Sequence, residues 1–119
     1  MKKVAVIGSR GFTSFDLMKE ELDLLAAPFV LVSGGAKGAD SLAELYSDQH
    51  GYEKIIFLPE WEKYGRKAGF VRNRLIVEEC DLLIAFWDGT SRGTKNSIDT
   101  AKSLNKPFKV VLYGQNTLF

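Results

Sequence analysis

Five short apolar runs, separated by longer segments of helical period, constrain this chain more than any other feature of its sequence. The runs predict strands over 4–7, 29–32, 55–58, 82–86 and 108–112. The segments between them predict helices over 16–26, 40–49, 69–79 and 94–104, with a longer connection over 60–68. Leu17, Met18, Leu22, Leu24 and Leu25 are expected to face inward from the first helix, and Leu42, Ala43, Leu45 and Tyr46 from the second. Pro28, Gly51, Pro59 and Pro107 punctuate the boundaries. Because the strands are continuously apolar rather than alternating, the sheet must be covered on both faces. Strand–helix alternation then gives parallel strands joined by right-handed crossovers. The expected fold is α/β, a Rossmann-like three-layer sandwich on a five-stranded, mostly parallel sheet. At 119 residues, with no repeat or linker, it is expected to form one domain over 1–119. Residues 113–119 are left unassigned.

Charge and cysteine usage exclude several classes. The formal net charge is +1, which argues against a general nucleic-acid binder. No apolar run approaches the roughly 20 residues needed to cross a bilayer, so no membrane partner is expected. The N-terminal Met1-Lys2-Lys3 runs straight into the first strand rather than a signal-peptide core, which points to the cytoplasm. Cys80 and His50 each stand alone, so neither an internal disulfide nor a metal site is expected, and no cofactor is called for.

Parallel connectivity sends every strand-to-helix turn to one edge of the sheet, where open α/β sheets bind ligands. All four such turns contain glycine. They read Gly8-Ser9-Arg10-Gly11, then Ser33-Gly34-Gly35-Ala36-Lys37-Gly38-Ala39-Asp40, then Tyr64-Gly65-Arg66-Lys67-Ala68-Gly69, and last Asp88-Gly89-Thr90-Ser91-Arg92-Gly93-Thr94. In the second turn Gly34, Gly35 and Gly38 would let an anion approach the main chain. The following helix would aim free N–H groups at it, with Ser33 and Lys37 adding a donor and a charge. The pattern matches neither a Walker A loop nor the Gly-x-Gly-x-x-Gly fingerprint, so a plain tight turn remains the competing reading. Asp40 would bind a ribose hydroxyl or cap its helix. Gly93 and Thr94 open the last helix, with Thr94 expected as its N-cap.

The third connection concentrates cations: Lys63, Arg66, Lys67, Arg72 and Arg74, beside Glu60 and Glu62. It is expected to give a near-neutral protein a positive mouth, with Arg72 as the ligand's cation. Trp61 and Tyr64 would either stack on a nucleobase or pack the loop against the domain.

Gly8-Ser9-Arg10, the Ser33–Asp40 turn, Trp61-x-x-Tyr64-Gly65, Ala68-Gly69-x-x-Arg72-Asn73 and Gly93-Thr94 occur in an order that resembles the YspA-like branch of the SLOG superfamily. That superfamily includes the Smf/DprA DNA-processing proteins and the LOG phosphoribohydrolases. The resemblance runs from about Lys3 to Leu112. It implies a nucleotide-binding domain in which Gly34, Gly35, Gly38, Gly93 and Thr94 contact phosphate or ribose, and in which Arg72 matches an active-site arginine of LOG enzymes. Related proteins often pair, so a homodimer is open, with Thr117-Leu118-Phe119 at an interface or fraying. In LOG enzymes acidic residues follow the Gly-Thr; here Lys95-Asn96-Ser97 follow, and the first acid is Asp99.

Three functions follow as expectations. The first is binding or sensing of a nucleotide-like, phosphate-bearing small molecule without turnover, at Gly8, Ser9, Arg10, Ser33, Gly34, Gly35, Lys37, Gly38, Asp40, Trp61, Arg72, Asn73, Gly93 and Thr94. The second is phosphoribohydrolase chemistry on a nucleoside monophosphate. There Arg72 would orient substrate, and Asp88, Asp99 or Glu60 would serve as the acid an oxocarbenium-like transition state needs. The third is single-stranded DNA binding of the DprA type.

Overall fold

The computed structural model describes residues 1–114. Its strands are β1 (Lys3–Gly8), β2 (Val30–Ser33), β3 (Lys54–Ile56), β4 (Leu82–Trp87) and β5 (Phe108–Leu112). They form one sheet in the order β3-β2-β1-β4-β5, and every neighbouring pair is parallel. The expected α/β, Rossmann-like sandwich is what the chain adopts. The tail that was left unassigned lies mostly outside the described residues.

Sheet faces divide the core in two. Val4, Val6, Leu31, Ile84 and Phe86 pack against Met18 and Leu22 of helix α1 (Phe15–Leu22) and against Ala39, Ala43 and Tyr46 of helix α2 (Ala39–His50). Ala5, Ile7, Val32, Leu83 and Ala85 pack against Ile76 and Val77 of helix α4 (Ala68–Glu79) and against Ile98 and Ala101 of helix α5 (Arg92–Ser103). Each large side chain buried this way contributes roughly 1.5–3 kcal/mol of transfer free energy. Coverage on both faces is the physical reason the three central strands, β1, β2 and β4, read as unbroken apolar runs, while β3 and β5 lie at the sheet edges and stay partly exposed.

Helix ends depart from the expected spans. α1 stops at Leu22, because Asp23 is held by Lys19 and by the Tyr46 hydroxyl, 2.7 Å away, as the chain turns off. Leu24 is therefore 71% exposed and Leu45 of α2 is 45% exposed, so neither faces the core as expected. The 60–68 connection is not a bare loop. It holds a single helical turn, α3 (Trp61–Tyr64), and a 3₁₀ turn, Gly65–Lys67. Cys80 is buried at the end of α4, its thiol donating to the Val77 carbonyl. His50 stacks on Tyr46 with ring centroids 4.0 Å apart. Among the described residues, no helix is long and apolar enough to cross a membrane.

The strand order determines where the turns go. From β1 the chain moves outward to β2 and β3, then crosses back to β4 and β5 on the other side. The turns after β1 and β4 therefore leave neighbouring strands in opposite directions and open a crevice between them. α4, which makes the long crossing, lies over that crevice.

Candidate functional site

The crevice is a recess of about 640 Å³ whose walls come from all four strand-to-helix turns and from α4. Its base is main chain. A Cβ on Gly8 would lie 2.4 Å from the Phe86 carbonyl oxygen and 2.6 Å from the Ala39 Cβ, so only glycine fits where β1 ends. Ser9 follows, buried, and its carbonyl accepts Phe12 N–H at 3.1 Å. The Ser9 hydroxyl oxygen accepts Asp88 N–H at 3.3 Å, which joins the first turn to the fourth.

In the second turn the structure departs from the expected phosphate cradle. The Asp40 carboxylate accepts Gly34 N–H at 3.1 Å and Ala36 N–H at 3.3 Å, and Gly35 N–H goes to the Ser33 hydroxyl at 3.3 Å. That hydroxyl, fully buried, donates to Glu44 at 2.9 Å. The amides of 34–36 are thus spent on the protein's own side chains, and Ser33 has no donor to offer a ligand. Asp40 is not the helix cap, since Gly38 holds that position. Instead, Asp40 shapes the turn from inside α2. Gly38, at φ 81°, sits under the first turn, where a Cβ would be 2.4 Å from the Ser9 carbonyl. Ser33, Lys37 and Gly38 do not line the recess, whereas Gly34, Gly35 and Asp40 do.

The fourth turn is closed by Asp88, whose carboxylate accepts Thr90 N–H at 2.9 Å and Ser91 N–H at 2.8 Å. This lets α5 begin at Arg92 with Ser91 as its N-cap, two residues ahead of the predicted start. Thr94 is therefore not the cap. It lies inside the first turn, buried, with its hydroxyl 3.2 Å from that of Ser91. The first intrahelical bond here is Lys95 N–H to the Ser91 carbonyl. The amides of Arg92, Gly93 and Thr94 precede it and form the positive end of the helix dipole. Gly93 and Thr94 both line the recess.

Two adjacent residues of α4 tie these turns together. Arg72 donates from Nη1 to the Gly34 carbonyl at 2.6 Å and from Nε to the Asn73 side-chain oxygen at 3.1 Å. Asn73 in turn reaches the Gly93 carbonyl at 3.4 Å and Asn96 at 3.5 Å. Gly34, Arg72, Asn73 and Gly93 thus form a continuous bridge across the crevice. A Cβ on Gly34 would sit 2.5 Å from Arg72 Nη1, so the guanidinium can dock only because residue 34 is glycine.

Electrostatically the recess is mixed rather than simply positive. Arg10, Arg66 and Arg72 line it, but so do Asp40 and Asp88. Burial lowers the pKa of Arg72 from its ordinary value, with Arg10 adding to the fall and Asp40 opposing it; an arginine stays charged regardless. Asp88 is held below the usual carboxylate range by the Thr90 and Ser91 amides. Burial pushes Asp40 up to about 6, against the pull of the Ala36 amide, the Arg72 charge and the Gly34 amide, with Glu44 adding to the rise. Asp99 and Glu60 lie outside the lining, and Asp99 is bound by Lys95 at 2.8 Å on an exposed face of α5. Among the described residues no cluster of histidine, cysteine or carboxylates could hold a metal ion.

Sequence reasoning passed over Leu58 and Phe70, both on the recess wall, and counted Arg66 only within a charge cluster. Phe70 gave no signal, because an apolar residue on an amphipathic helix reads as core.

A parallel α/β sheet with its recess at the point where strand order reverses is the architecture of nucleotide-handling α/β domains. The sequence model of the YspA, cpYpsA-related SLOG family matches residues 2–64, and this chain belongs to that family. The chain is 32% identical over 117 residues to the Gene 61 protein of Mycobacterium phage D29, spanning 90% of this chain and 94% of that protein. Its fold is similar to that of DNA processing protein A (DprA) from Streptococcus pneumoniae. That match has a TM-score of 0.81 at 22% identity and covers 98% of this chain. The chain spans about half of that protein, 52% of its length. DprA from Helicobacter pylori, a protein described for its single-stranded DNA binding mode, matches with a TM-score of 0.71 at 23% identity. Coverage there is 97% of this chain and 67% of that one.

Proposed function

We propose that this chain, acting as one domain, binds a phosphate-bearing, nucleotide-like small molecule in the recess and does not turn it over. The bridge from Gly34 through Arg72 and Asn73 to Gly93 carries this reading. It brings a half-buried cation and the N-terminal amides of α5 to one space of ligand size. The phosphate belongs at Gly93 and Thr94, where main-chain donors and the helix dipole are still available. Arg10 and Arg72 neutralise it. The second turn serves as a scaffold that Asp40 holds rigid, and not as the cradle itself.

Turnover has little support, because the positions after Gly93-Thr94 are Lys95, Asn96 and Ser97, and Asp99 is engaged by Lys95 away from the recess. Asp88 is the residue that keeps a hydrolase reading alive, being an ionised carboxylate on the wall. Calorimetric titration with nucleoside mono-, di- and triphosphates is expected to show saturable binding by at least one of them. Arg72→Ala is expected to weaken that binding at least tenfold, about 1.4 kcal/mol. Saturation by none of them would overturn the proposal. Steady release of free base from a bound monophosphate would replace the binding reading with the hydrolase one.

A further inference from the structure

We propose that Trp61 and Phe70, with Leu58 beside them, form an aromatic subsite on the rim of the same recess that receives the ligand's nucleobase. The inference rests on the phosphate-binding reading and specifies what the remainder of the ligand must be. Trp61 is 56% exposed, Phe70 52% and Leu58 65%, yet all three line the recess that holds the arginines and the α5 amides. Among the described residues neither Trp61 nor Phe70 stacks on another ring. Large apolar faces left open beside convergent polar groups mark a ligand site more often than a bare surface.

Distance favours a nucleoside. The space a Cβ would take at Gly35 is occupied by Leu58, 2.7 Å away, and at Gly34 by Arg72, 2.5 Å away. Consecutive Cα atoms lie about 3.8 Å apart, so Leu58, at the edge of the apolar shelf, and the guanidinium meet the same turn at neighbouring residues. A molecule with its charge at Arg72 therefore reaches the shelf within the length of a nucleotide. A flat ring is the matching chemistry, because aromatic faces stack on bases of any sequence. A sugar phosphate would satisfy the polar groups and leave the shelf wet.

The test compares AMP with ribose 5-phosphate by calorimetry on wild type, Trp61→Ala, Phe70→Ala and Arg72→Ala, with a short oligothymidylate as a further arm. AMP is expected to bind at least about fivefold more tightly than ribose 5-phosphate to wild type, the low end of what stacking one base confers. Trp61→Ala and Phe70→Ala should each shrink that gap while leaving ribose 5-phosphate affinity unchanged, which also shows that the variants are folded. Equal affinity for the two ligands, or a gap that survives both substitutions, would overturn the subsite. If Arg72→Ala still weakened both ligands, the phosphate reading would stand without it; if neither ligand bound wild type, the subsite would fall, and the phosphate reading with it once the nucleoside di- and triphosphates also failed to saturate. Oligothymidylate binding more tightly than AMP would also overturn the proposal, assigning the rings to a strand rather than a free nucleotide.

Discussion

At the scale of single residues, Asp40 couples the second turn to pH. Its carboxyl is buried, which pushes its pKa up to about 6, against 3.8 when unfolded. Below 3.8 the group is protonated in both states and contributes nothing. Between 3.8 and about 6 the folded chain keeps a proton that the unfolded chain has released, so stability falls as pH rises. Above about 6 the full cost is present, about 3 kcal/mol at 1.36 kcal/mol per pKa unit. Asp40→Asn keeps an oxygen to accept the Gly34 and Ala36 amides but carries no charge. Urea unfolding from pH 4 to 7 is expected to move in the variant's favour by roughly 2–3 kcal/mol relative to wild type, levelling above about 6. A pH-independent difference would contradict this account. None of it was legible in the sequence, where Asp40 read as a cap or a ribose ligand, because the chain alone does not say which amides a carboxylate captures. Ser33 was misread for the same reason: its partner Glu44 lies a full helix turn into α2. Arg72 was legible, but only as a ligand cation. Its structural bond to the Gly34 carbonyl depends on a turn thirty-eight residues away.

Among the elements, α4 matters most to the site because it presents Arg72 and Asn73 on consecutive positions to opposite walls. The bonds from Asn73 to Gly93 and Asn96 are long, at 3.4 and 3.5 Å, so their loss should cost little stability, within about 1 kcal/mol. Freeing the start of α5 should nonetheless misplace the phosphate donors. Asn73→Ala is expected to leave the thermal midpoint nearly unchanged while weakening nucleotide binding about five- to tenfold by calorimetry; unaltered affinity would remove Asn73 from the bridge. Strands were read to within two residues of their ends, since the apolar runs mark them whether they lie centrally or at the sheet edge. Helix ends were read as closely, except that α1 stops four residues short of its expected end. Leu24 and Leu45 fit a helical period yet face water, because spacing records a stripe and not whether the sheet extends beneath it. The α3 turn spans four residues, too few to display any period.

For the whole molecule, the reversal of strand order between β1 and β4 makes the recess a seam between two half-sheets. A ligand in it touches both halves at once. Saturating nucleotide is therefore expected to slow amide hydrogen exchange around 8–11 and 91–94 together, across the seam. A saturating concentration a hundredfold above Kd would add about 2.7 kcal/mol to stability. Protection confined to one half would mean that the ligand sits elsewhere. The existence of a ligand edge was legible from the glycine asymmetry of the turns. The balance of charge was not, because two aspartates fold in beside the arginines. The base of the recess, where Gly8 is wedged between Phe86 and Ala39, consists of backbone and carries almost no side-chain identity. Changing that plate would disturb the packing of three elements, whereas Trp61 and Arg66 stand at its margin on a short connecting segment, with Phe70 in the first turn of α4. Diversification of what such proteins recognise is therefore channelled to the margin, and a new preference can be acquired without refolding the protein beneath it.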